Sequence, residues 1–156
     1  MSTVSAQHAS FTIDRNFEAS VARIYAAFST QEGKARWFGG GPTWEAIERR
    51  FDFRVGGREY AHGRWRGERG DAETVFDCLY HDIVPEQRIV YSYDMHYNHR
   101  KLSVSLATIE FAAAGARTRM KLTEQGVFLD GYDDAGSRER GTRELMDRLA
   151  ASLGNH

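Results

Sequence analysis

Residues 137–153, SRERGTRELMDRLAASL, constrain the fold more than any other stretch of the chain. Thr142, Leu145, Met146, Leu149 and Leu153 recur at helical spacing, with Arg140, Arg143, Glu144, Asp147 and Arg148 mainly between them, which is the pattern of an amphipathic helix with one apolar stripe. Such a stripe needs an apolar partner. Nearly everything over residues 45–127 reads as strand, so the partner is one face of a large antiparallel sheet. A functional site inside the protein then falls between helix and sheet.

A length of 156 residues suits one domain with a proper core and room for a small-molecule cavity. With 21 Lys and Arg against 22 Asp and Glu, the chain lacks the basic footprint of a nucleic-acid or anionic-membrane binder. The basic run Arg64-Trp65-Arg66, followed by Glu68 and Asp71, reads as a solvated hairpin. Cys78, the single cysteine, cannot form an internal disulfide and sits in an apolar strand, as suits a reducing compartment. No apolar run approaches the roughly 20 residues of a membrane helix, and residues 1–10 lack a secretory pattern. These features predict a cytoplasmic protein with no membrane span.

Residues 1–9 read as a flexible tail and 10–154 as a single domain. Phe11, Ile13, Arg15 and Phe17 alternate with polar residues as a first strand. Ser20 is an N-cap for a short helix with Val21, Ile24, Tyr25 and Phe28 on one side. A second short helix starts at Thr30, has Glu32 in its first turn, carries Trp37 and Phe38 near its end and stops at Gly39-Gly40-Gly41-Pro42. From Trp44 the period becomes two. Ile47, Arg49, Phe51, Phe53 and Val55 share a parity, and Gly56-Gly57 reverses the chain into 58–65, where Tyr60 and His62 share one face and Ala61 and Trp65 the other. Residues 67–71 turn the chain into strands over 74–84 and 88–97. In 101–112, Leu102, Val104 and Leu106 oppose Ile109 and Phe111, so a bulge near Ala107 is expected. Residues 117–125 form a strand and 126–136 a loop carrying Phe128, Leu129 and Tyr132, before the last helix.

In this order, the motifs Ala35-Arg36-Trp37-Phe38, Phe53-Arg54-Val55-Gly56-Gly57 with Tyr60, Pro85-Glu86-Gln87-Arg88-Ile89-Val90-Tyr91, the 115–123 strand and the Gly141 helix resemble a START-like, helix-grip domain of the SRPBCC superfamily. More narrowly, the chain resembles bacterial relatives of the C-terminal domain of the heat-shock protein 90 ATPase activator. The resemblance implies an α+β, Bet v-like fold: a curved antiparallel sheet of about seven strands wrapped on a long C-terminal helix, two short helices after the first strand, and a cavity between sheet and helix. It implies no single reaction, since related domains include lipid carriers, hormone or polyketide binders and cyclases. Where such proteins often have Gly-Trp early in the last helix, this chain has Gly141-Thr142, which enlarges the interior unless another side chain fills the volume.

Independently of the resemblance, several strands put polar groups on their apolar parity: Arg15, Arg49, His62 and Glu124. Buried without partners these would be costly, so they pair, meet water or a ligand, or lie at a slipped register or strand end in solvent. Trp37, Phe38, Trp44, Phe128 and Tyr132 border the helix ends and either wall a pocket or pack as ordinary core and rim. The candidate cavity residues are therefore Trp37, Phe38, Trp44, Arg49, Phe51, Tyr60, His62, Tyr91, Tyr93, Met120, Glu124, Phe128, Tyr132, Leu145, Met146 and Leu149. His96-x-x-His99 and Cys78-x-x-His81 have no third ligand in view, and residues three apart on a strand face opposite ways, so no metal is expected. Nor is a cofactor: the glycine runs lack the Lys-Ser or Lys-Thr of a phosphate cradle. No catalytic motif is present. The leading expectation is binding of a small lipophilic or aromatic molecule, anchored through a carboxylate or carbonyl by Arg49, Tyr60 or His62. The alternatives are an enzyme of cyclase, dehydratase or hydrolase type using His62 or Glu124, and a co-chaperone-like protein-binding domain. A homodimer through a sheet edge or aromatic rim is a further expectation.

Overall fold

The computed structural model describes residues 4–67 and 70–154. Strand β1 (Ala6–Phe17) leads into helices α1 (Val21–Ser29) and α2 (Gln31–Ala35). Strands β2 (Trp44–Phe51), β3 (Arg58–Trp65), β4 (Ala72–Val84), β5 (Arg88–Tyr97), β6 (Arg100–Ala114) and β7 (Arg117–Leu129) follow, then α3 (Ala135–Gly154). The strands form one antiparallel sheet in the order β1-β7-β6-β5-β4-β3-β2. This is the α+β helix-grip fold that the sequence predicts.

Local chemistry sets the element ends. The Ser20 hydroxyl accepts from the Arg23 amide at 3.3 Å and Thr30 Oγ1 from the Gly33 amide at 3.0 Å, each satisfying a donor left over at a helix start. Gly56 adopts φ +83° in the turn before β3, where a side chain would be strained. Helix α3 buries Thr142, Met146, Leu149 and Leu153. The last three join Ile13, Phe17, Ile24, Phe28, Ile109 and Phe111 in the core, which fills the space under the C-terminal half of the helix.

Several expectations need correction. Residues 6–9, expected in the flexible tail, belong to β1, which pairs Ala6 with Leu129 and continues without interruption; of that expected tail, residues 1–3 lie outside the described residues. Its first residues read as a tail because both faces there are largely exposed, so no apolar alternation marks them. The bulge at Ala107 is absent: β6 runs in unbroken register with β7 from Ser103 to Ala114. Ser103, Ser105, Ala107, Ile109 and Phe111 all face inward, which turns Val104 and Leu106 outward at 41% and 42% exposure. A bulge lies instead at Ile47, which is exposed, and Val55 is exposed in the following turn. Strand β7 extends to Leu129, so Phe128 belongs to the sheet rather than to a loop. Of the turn over 67–71, residues 68 and 69 lie outside the described residues.

In β3 the inward face carries Glu59, Ala61, Gly63 and Trp65, so Tyr60 and His62 point to the outer face. The parity misleads because the inner face must be small there to admit the Trp44 indole. A Cβ on Gly63 would lie 2.1 Å from that ring and one on Gly40 2.4 Å from it. Trp44 is itself fixed by a 3.0 Å hydrogen bond from Nε1 to Thr74 Oγ1 and by the Arg49 guanidinium over its ring. Gly63→Ala is therefore expected to destabilise the fold by about 1–3 kcal/mol through overpacking, read from urea unfolding.

Candidate functional site

A cavity of about 310 Å³ opens between the inner sheet face and the N-terminal half of α3. Phe28, Trp37, Phe38, Trp44, Ala61, Trp65, Phe76, Tyr91, Tyr93, Met95 and Leu122 form its walls, and Gly141, Thr142, Leu145 and Met146 its helical roof. Lys34, Thr74, Glu124, Asp133, Ser137, Arg138, Glu144 and Arg148 supply polar groups. All 3 tryptophans of the chain line it. Apolar walls with a few fixed polar groups are the ordinary composition of a small-molecule site.

The wall over residues 37–40 is held by its carbonyls. Arg148 Nε donates to Trp37 at 3.3 Å, Arg49 to Phe38 at 2.7 Å, Arg148 Nη2 to Gly39 at 2.5 Å and Trp65 Nε1 to Gly40 at 3.0 Å. Donors from α3, β2 and β3 thus satisfy a run of backbone that belongs to no helix or strand. Gly39 and Gly41 have φ of +143° and +89°, backbone that favours glycine.

At the start of α3, the Arg138 side chain is 11% exposed and spans the sheet. Its guanidinium donates to Ser103 Oγ at 2.7 Å, Tyr93 Oη at 2.9 Å and Asp133 at 3.1 Å, and lies 3.8 Å from Glu124. It also sits over the rings of Tyr93 and Phe128. Tyr93 donates to Glu124 Oε2 at 2.9 Å. Burial raises the Glu124 carboxyl above the ordinary glutamate value, against the opposing pull of Arg138 and the Tyr93 hydroxyl. Tyr91, also in the wall, has its phenol raised well above the usual value by burial and then by neighbouring Tyr93 and Glu124.

A second buried pair stands at the α2 side. Lys34 Nζ lies 2.9 Å from Glu59 Oε1, with side chains 6% and 3% exposed, and Tyr80 Oη donates to the same oxygen. The ammonium is 4.5 Å from the Phe38 ring centre and faces Trp37 and Phe28 as well. Cys78, on the same inner face of β4, has its thiol pushed up to about 12 by burial, which makes it a poor nucleophile.

The structure brings together at the cavity Trp37, Phe38, Trp44, Tyr91, Tyr93, Glu124, Leu145 and Met146. It places the other candidates elsewhere. Arg49 faces inward but is spent on the Phe38 carbonyl, and Phe51 stacks on Phe53 beside a small crevice at α2. Tyr60 lies on the outer face under Arg50, and His62 there stands 3.6 Å from Glu73. Met120 and Leu149 are packed in the core, Phe128 is buried beneath Arg138, and Tyr132 is 48% exposed under Arg100. Arg15 pairs with Asp147 at 2.7 Å across β1 and α3. Of the histidine pairs, His81 bonds Ser92 and His99 lies near Glu73. Among the described residues no three His, Cys, Asp or Glu converge as metal ligands. Sequence reasoning missed Phe76 and Leu122 in the walls, and Trp65, which lines the cavity and is not part of a solvated hairpin; it also missed Lys34, Glu59 and Arg138, together with Ser103 and Ser105. For Arg138 the signal was a serine pair on the inward parity of a strand whose other parity looked apolar.

The model of the family described as activator of Hsp90 ATPase homolog 1-like protein matches residues 18–154. The chain belongs to this family. Among solved structures similar to this activator-like domain, a protein from Rhizobium loti is 42% identical with a TM-score of 0.84, over 95% of this chain and 99% of that one. One from Rhizobium leguminosarum is 39% identical with a TM-score of 0.90, over 99% of each chain. The AHSA1-like protein from Aeromonas hydrophila, at 20% identity, TM-score 0.68 and coverage of 95% and 97%, shares the fold alone. No curated protein matches the chain. No helix of this activator-like domain is long and apolar enough to cross a membrane among the described residues.

Two outcomes follow from the buried charges. Lys34→Met leaves the Glu59 carboxylate buried without its cation and is expected to cost about 3–5 kcal/mol in chemical unfolding. For Glu124, whose folded pKa is raised, the native state holds its proton to higher pH than the unfolded chain does. Wild-type stability relative to Glu124→Gln should therefore fall as pH rises from the ordinary glutamate value of about 4.3, reaching its floor above the folded pKa. A difference that grows in favour of wild type over that window would contradict the assignment.

Proposed function

We propose that this protein binds one small apolar or aromatic molecule in the space between its sheet and α3. The single observation supporting this is an unfilled volume of about 310 Å³, walled by aromatic rings, directly beneath a helix whose other half is fully packed. The space is open to solvent, so its aromatic walls face water, and a guest of matching shape would remove that apolar surface from water.

The roof supports the same reading. Family members often carry tryptophan where this chain has Thr142, and Thr142 donates its hydroxyl back to the Arg138 carbonyl at 2.9 Å, so it does not reach across the gap. Thr142→Trp is expected to fill the space. It should lower affinity for any molecule found by native mass spectrometry or thermal shift with a lipophilic library by at least about tenfold, with the fold retained by circular dichroism. Unchanged affinity in a folded variant would show that the guest binds elsewhere.

A further inference from the structure

The Glu124 carboxylate has no cation to itself. Arg138 is shared between Glu124 and Asp133, at 3.8 and 3.1 Å, while Lys34 is matched by Glu59 and Arg148 is held by the carbonyls of Trp37 and Gly39. Glu124 is only 4% exposed, and its Oε2 is occupied by Tyr93. Oε1 takes no hydrogen bond among the described residues, nor does the Tyr91 hydroxyl, and both residues line the cavity. Neither atom is sealed from the cavity, so an acceptor oxygen and a hydroxyl are open to a ligand there. The rings beside them, Tyr91, Tyr93 and Phe76, pack against one another and present faces that attract cations.

Resting on the small-molecule reading above, we propose that the ligand is an amine: a protonated nitrogen donating to Glu124 Oε1 and the Tyr91 hydroxyl, carried on an aromatic body that extends across the sheet toward Trp44 and Trp65. An ammonium supplies the donors, pairs with the Glu124 carboxylate and stands against the tyrosine rings. A carboxylate at the same place would face Glu124 and be repelled. A neutral alcohol can donate to Glu124 and accept from Tyr91 but brings no charge to either.

The test uses the full chain and three probes with one body and different heads: phenylbutylamine, phenylbutanol and phenylbutyrate, titrated at neutral pH against tryptophan fluorescence, since every tryptophan lines the cavity. The amine should bind about tenfold tighter than the alcohol, with the carboxylate weakest. Glu124→Gln should bring amine and alcohol within about threefold of each other. Tyr91→Phe, which keeps the ring and should fold even where Glu124→Gln does not, should reduce the amine's advantage. Equal affinity for amine and alcohol, or tightest binding by the carboxylate, overturns the amine assignment and leaves the cavity reading standing. Failure of all three probes, together with failure of every member of a lipophilic library, overturns both.

Discussion

Arg148 reaches from α3 to the carbonyls of Trp37 and Gly39, and near the start of the same helix Arg138 drives its guanidinium between Ser103, Tyr93 and Asp133. The helix is therefore tied to the rest of the protein by directional polar contacts at two points, with its apolar stripe packed between and beyond them. A helix held by hydrophobic contact alone settles until the space beneath it closes, because that contact has no preferred direction. Guanidinium groups with fixed partners resist such settling, since approach or retreat strains planar, forked hydrogen bonds. These two arginines both line the open volume under the first half of α3.

Charged groups inside an apolar wall need a separate account. An ion pair such as Lys34–Glu59 gains little net stability over well-packed hydrocarbon, because desolvation of both ions offsets much of their attraction. What the pair does is fix position: Glu59 receives Lys34 from α2 and Tyr80 from β4 at one oxygen, and the lysine is surrounded by Phe28, Trp37 and Phe38. The aromatic corner of the cavity is thereby locked to the sheet. Arg138 plays the same part at the other end, with the difference that one of its carboxylates keeps an oxygen unmatched.

The element order and the sheet-against-helix architecture were legible in the sequence because they rest on period: two for the strands, 3.6 for α3. Facing was harder to read. Parity assignments assume that the inner face is the more apolar one, and in β3 and β6 it is not. Gly63 faces inward because Trp44 needs its lack of bulk, and Ser103 and Ser105 because Arg138 needs their hydroxyls. Each exception depends on a side chain far away in the chain, so no local window contains the information. Glu124 was legible for the opposite reason: a single acid breaking a run of inward Met120 and Leu122 stands out without knowledge of its partner. His62 broke its strand's pattern in the same way, yet lies outside, because Tyr60 beside it shares the outer face.

The position of the cavity follows from where α3 carries small side chains. Its residues toward the sheet and the cavity run Arg138, Gly141, Thr142, Leu145, Met146, Leu149 and Leu153. Arg138 covers the inward serines Ser103 and Ser105 of β6, and Met146, Leu149 and Leu153 meet the core with Ile13 and Ile24, so both ends of the helix are filled. Between them Gly141 and Thr142 reach only a short way toward the sheet, and Trp44, Tyr91 and Glu124 are among the groups left facing open volume. The interdigitation normal to protein interiors would need a large side chain at one of these two positions. The cavity is thus placed by a gap in the side-chain volume of the helix, and Glu124 and Tyr91 stand on the strands either side of β6, beside the arginine that bounds it.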